Sequence, residues 1–100
     1  MSGGVNGARG EVRVMLAGEP RRLCLTLGAL AEIETALGVD GLEAVAERMR
    51  RLSARDLLAV LEALLRGGGE DEAAAGLSRA EVDPREAAQG VARAFAACVG

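Results

Sequence analysis

One hundred residues are enough for a single domain with a modest core and too few for two. Half of them are apolar, mostly alanine and leucine; Phe95 is the only aromatic, and histidine, tyrosine, tryptophan and lysine do not occur, a composition that favours helices. All twelve basic residues are arginine, and fifteen acids outweigh them for a net charge of −3, which argues against a duplex nucleic acid ligand because phosphate neutralisation needs a concentrated positive face.

Met1 to Arg9 is glycine-rich and without pattern, and reads as a disordered tail ahead of one domain spanning residues 10–100. From Glu11 the apolar period is two, with Val12, Val14 and Leu16 on one side and Glu11, Arg13 and Met15 on the other. "AGEP", Ala17 to Pro20, supplies a reversal, and Leu23, Leu25 and Leu27 resume the alternation. A β-hairpin is predicted. Two strands alone are marginal in water, so the helices that follow must cover their apolar face.

Thr26 is placed to cap a first helix running to Leu37, with Gly38 just past its end. Leu27, Leu30, Ile33 and Leu37 fall in one arc of that helix. Glu34 falls in the same arc, so its carboxylate either reaches the rim to pair with Arg21 or Arg22, or meets a partner. Asp40 is placed to cap a second helix with Leu42, Val45, Ala46 and Met49 on one face. "SARD", Ser53 to Asp56, has the spacing of a capping box and opens the clearest helix. Its stripe of Leu57, Leu58, Leu61, Leu64 and Leu65 is the predicted centre of the core, and Glu62 and Arg66 stand four apart on the opposite side.

"GGG", Gly67 to Gly69, ends this helix and starts a flexible glycine-rich, acidic linker over residues 67–76. "SRAE", Ser78 to Glu81, is predicted as a single capped turn. "DPRE", Asp83 to Glu86, starts a final helix with Ala88, Val91, Ala92, Phe95 and Val99 on one face and Gly90 interrupting the other. Phe95 is expected to plug the core. Together these elements predict an α+β, mostly α fold: an N-terminal β-hairpin packed on a bundle of about four short helices.

Residues that carry chemistry are nearly missing. Without histidine there is no histidine-based triad or dyad, and Cys24 and Cys98 form no recognisable zinc site. Both cysteines read as reduced thiols, since one bridge is a poor disulfide framework. The glycine-rich stretches lack the strand-to-helix setting and the lysine of a phosphate loop. No enzymatic activity, cofactor or metal is expected. No apolar run approaches the roughly 20 residues of a bilayer span, so a soluble, intracellular chain is expected. "RMRRLSAR", Arg48 to Arg55, is the one positive cluster. With its two short helices it suggests a helix-turn-helix DNA reader, but cations also favour a helix C-terminus, and the second helix would present Asp56 and Glu62 to the bases.

A short hairpin leading into "LTLGALAEIETALG", then "LSARDLLAVLEALLRGGGED" and an alanine-rich terminal helix, resembles the small protein encoded beside the tail genes of gene transfer agents. That family is grouped with phage tail assembly chaperones. The resemblance covers the chain from Gly10 onward. It implies a factor that binds the tape-measure protein, keeps its apolar helices soluble, helps recruit tail tube subunits and is absent from the finished particle. The family has also been labelled a tail tube protein, which two strands argue against, because a tube subunit needs a sheet large enough to close a ring. A tail tube, connector or completion protein is the structural alternative. A partner surface, with self-association through it, is expected on the first and last helices and the hairpin edge, at Leu30, Glu34, Leu37, Val91 and Phe95.

Overall fold

The computed structural model describes residues 10–99; the tail predicted over Met1 to Arg9 and the place of the Val99 side chain lie outside the described residues. Among the described residues it is α+β and mostly α, as expected: one hairpin, five α-helices and two 3₁₀ turns.

Strand β1 (Glu11–Leu16) pairs antiparallel with β2 (Glu19–Cys24), with Val12 opposite Leu23 and Leu16 opposite Glu19. The reversal is a two-residue turn at Ala17 and Gly18, with φ of 54° and 81°. Positive φ at both positions is the type I′ geometry whose twist suits a tight hairpin. Glu19 and Pro20 of the expected turn therefore already belong to β2. The Arg22 N–H points away from β1 to Glu70, so Pro20, two residues earlier, also turns its nitrogen to the outer edge, where no ladder donor is needed.

Helix α1 (Leu27–Leu37) begins at Thr26, whose hydroxyl accepts the Ala29 N–H at 3.0 Å, and ends at Gly38 with φ 72°. Helix α2 (Leu42–Arg48) departs from expectation: Gly41, not Asp40, is its N-cap, with φ 91° and no side-chain cap. A 3₁₀ turn (Met49–Arg51) leads to α3 (Ala54–Gly67), capped by the Ser53 hydroxyl on the Asp56 N–H at 3.1 Å.

α3 is the hub, packed against α1, β2, α4 (Asp71–Ala75) and α5 (Pro84–Val99). Its Val60, Leu61, Ala63, Leu64 and Leu65 are buried, while Leu57 and Leu58 are only half-buried. Fully burying one such leucine stabilises by about 2 kcal/mol. The segment read as a linker is instead packed structure. α4 lies within it, Ala74 is buried, and Gly67 and Gly68 run against β2 so closely that a Cβ at either would overlap the carbonyl oxygen of Cys24 or Arg22.

A second 3₁₀ turn (Leu77–Arg79) precedes α5, where the Asp83 carboxylate accepts the Arg85 N–H at 2.9 Å. α5 supports the hairpin from below. Gly90 is not on an outer face but at this contact, where a Cβ would stand 3.2 Å from Leu23 and 3.6 Å from Val14. Phe95 is half-buried at the edge of the core and does not plug it. Leu27 lies at the margin of the α1 arc, in its first turn, and is 84% exposed.

Candidate interaction surface

Several of the arginines hold the chain together. Arg48 ends α2 and reaches two other elements: Nη1 donates to the Leu37 carbonyl at 2.8 Å and Nη2 to the Asp56 carboxylate at 2.9 Å. The last turn of α1 is thereby tied to the first turn of α3, and one cation of the positive cluster is drawn inward. Arg66 pairs with Glu32 of α1 at 2.7 Å, not with Glu62, and this hydrogen bond raises its pKa. Arg21 and Arg22 pair with Glu70 across the bundle, each at 3.5 Å. Burial pushes the Glu70 carboxyl up, but the Arg22 amide and the two guanidinium groups outweigh it and hold the pKa below the ordinary carboxylate range.

The Glu34 carboxylate, expected near Arg21 or Arg22, accepts the Gly41 N–H at 2.6 Å and so supplies the α2 start that Asp40 does not. Cys24 is a half-buried thiol whose pKa is raised, first by burial and then by Glu11 and Cys98. No group of three or more His, Cys, Asp or Glu among the described residues is arranged to hold a metal ion. No helix among them is long and apolar enough to cross a membrane.

Two apolar depressions share the wall made by Leu57 of α3. One, of about 250 Å³, lies between the Met49–Arg51 turn and α5 and is lined by Met49, Leu52, Leu57, Ala88, Val91 and Ala92. The other, of about 190 Å³, runs on from Leu57 and Leu58 towards Val82 and Pro84. Together they form a groove along α3 and the first half of α5. Arg50 and Arg51 fill the turn between lining residues Met49 and Leu52, and Arg85 shares the α5 face of Ala88 and Ala92. These three arginines are exposed and have no ion-pair partner among the described residues. The residues lining the two depressions are apolar apart from Ser78, and no arginine is among them.

The residues expected to face a partner are dispersed. Leu37 and Val91 are core residues, 5% and 2% exposed, whereas Leu30, Glu34 and Phe95 are half-buried. α1 packs on α2 and α3, and α5 packs on the hairpin and α3, so α3 separates the two helices. Of the five, Val91 lines the groove. Met49 and Leu57, expected on apolar helix faces, line the groove beside Leu52, to which the sequence assigned no role, and their signal is incomplete burial on an apolar face.

A family model described as phage tail tube protein, GTA-gp10, matches residues 9–100. No curated protein and no solved structure matches the chain.

Proposed function

Because the chain belongs to the family of the phage tail tube protein, GTA-gp10, we propose that it is a structural component of the tail of a gene transfer agent particle, working through contacts with other polypeptides and without catalysis. The match across residues 9–100 carries this reading, since it takes in every described element. It supports the structural alternative better than the chaperone role that the sequence resemblance implied. The half-buried leucines and the apolar groove beside Leu57 are consistent with a protein that completes its packing in an assembly.

A second reading, an assembly chaperone for the tape-measure protein and tail tube subunits in the bacterial cytoplasm, has one observation in its favour. The described sheet has two strands, and its β2 edge is closed by Glu70, Gly67 and Gly68, which leaves little sheet with which to close a ring. Quantitative mass spectrometry of purified particles separates the two. A tail component is retained at a fixed number of copies per particle, whereas loss of the chain from finished particles contradicts that role and favours the chaperone.

A further inference from the structure

The open end of the hairpin brings the two cysteines of the chain to one corner of the fold. Cys24 is the last residue of β2 and stands opposite Glu11, the first residue of β1. The residue before Glu11 is Gly10, which is buried with φ 90°, and the last turn of α5 lies directly on it: a Cβ there would stand 3.7 Å from the Cys98 Cα and 3.8 Å from the Cys98 nitrogen. One ladder step and one backbone contact therefore connect two residues that are far apart in sequence.

The two thiols also feel one another. Burial first, then Glu11, then Cys98 raise the Cys24 pKa. Leu23, the neighbour of Cys24, faces Gly90 of α5, so Cys24 leaves the opposite face of the sheet. Because Cys24 ends its strand, a link to α5 passes round the end of the sheet and not through it. The last turn of α5 buries little, since Ala96 and Cys98 are exposed and Ala97 is half-buried. Such a helix end opens locally at small cost, which lets it adopt the spacing of about 4.4–6.8 Å between Cα atoms that a disulfide needs.

We propose that Cys24 and Cys98 are a redox-sensitive pair: a small-molecule disulfide such as oxidised glutathione joins them within one chain and pins the end of α5 to the hairpin, and reducing surroundings release it. Cys98, the exposed member, reacts first. Its thiolate attacks one sulfur of oxidised glutathione, that S–S bond breaks, and one glutathione leaves as a thiolate. The Cys24 thiolate then attacks the Cys98 sulfur of the mixed disulfide and displaces the second glutathione. The protein gives up two protons and two electrons, and the oxidant becomes two molecules of reduced glutathione. The bridge closes a loop over most of the chain, the case in which a cross-link restrains the unfolded state most.

The test treats the full chain with oxidised glutathione or with dithiothreitol and compares the wild type with Cys24→Ser and Cys98→Ser. Oxidised wild type should be a monomer lighter by two hydrogens in intact-mass spectrometry and closed to alkylation. Its thermal midpoint should stand at least about 5 °C above that of the reduced form. Cys24→Ser should keep glutathione on Cys98, Cys98→Ser should form no bridge within the chain, and neither midpoint should rise on oxidation. A wild type that stops at a glutathione adduct, bridges only between two chains on a non-reducing gel, or gains the bridge with no rise in midpoint overturns the proposal. None of these outcomes bears on whether particles retain the chain, so failure here leaves the tail-component reading to its own test.

Discussion

The Arg22 main-chain N–H donates to a Glu70 carboxylate oxygen at 3.1 Å, joining the outer edge of β2 to a residue 48 positions away. An acid just past α3 thus occupies a donor that would otherwise invite another strand, and the same carboxylate pairs with both neighbouring guanidinium groups.

Glu70 therefore makes stability depend on pH in a definite direction. Its folded pKa is lowered, so its stabilising contribution is complete above the pKa of an unfolded glutamate and is lost as pH falls through the lower folded value. Glu70→Gln should cost about 1 kcal/mol at neutral pH. Urea midpoints measured from pH 7 down to about pH 3 should show the wild-type advantage shrinking across the carboxylate range. A gap that holds constant contradicts the role given to the charge.

The backbone contact between the end of α3 and β2 admits no side chain. Gly67→Ala and Gly68→Ala should each cost about 3 kcal/mol, because backbone on both sides must move. Gly76 is the control. Its added Cβ would come no closer than 3.7 Å to the Glu72 carbonyl, so Gly76→Ala should be neutral or stabilise by about 0.5 kcal/mol in the same denaturation experiment.

Arg48 holds a carbonyl of α1 and a carboxylate of α3 with separate nitrogens of one planar group. A lysine ammonium cannot span both acceptors in that geometry. Arg48→Lys should lose about 1 kcal/mol, and hydrogen exchange should quicken at the end of α1 and the start of α3. Unchanged protection at both places would show the tie to be idle.

Side-chain size and burial rank core positions differently here. Leu64 is fully buried in the hub helix, so Leu64→Ala should cost about 3–4 kcal/mol. Phe95, although larger, is half-buried, and Phe95→Ala should cost about 2 kcal/mol. Thermal unfolding of the two variants checks the order, and a reversed order would place Phe95 deeper than described.

Local chemistry made much of the fold legible from the chain alone. The Thr26 and Ser53 caps, the left-handed Gly38, the Asp83–Pro84 start and the period-two run of β1 each depend on neighbours within a few positions. What escaped depends on distant partners. α4 is five residues long, too short to announce itself, and stands because Glu70 and the two packed glycines fix the segment before it. Glu34, which three turns of periodicity placed near the rim, finds the Gly41 amide because α2 folds back on α1. Gly90 faces the hairpin for a reason visible only once Leu23 and Val14 are in place. The groove was hidden likewise: Met49, Leu52 and Leu57 come from one stretch and Ala88 and Ala92 from another about thirty residues on, and only packing brings them together.

The central claim, that this chain builds the tail of a gene transfer agent particle, is tested most directly by deleting its reading frame in the producing cells and counting complete tails by electron microscopy. Heads without tails, with tails restored by the wild-type chain supplied in trans, is the predicted result. Tails of normal number and length in the deletion strain would contradict the account.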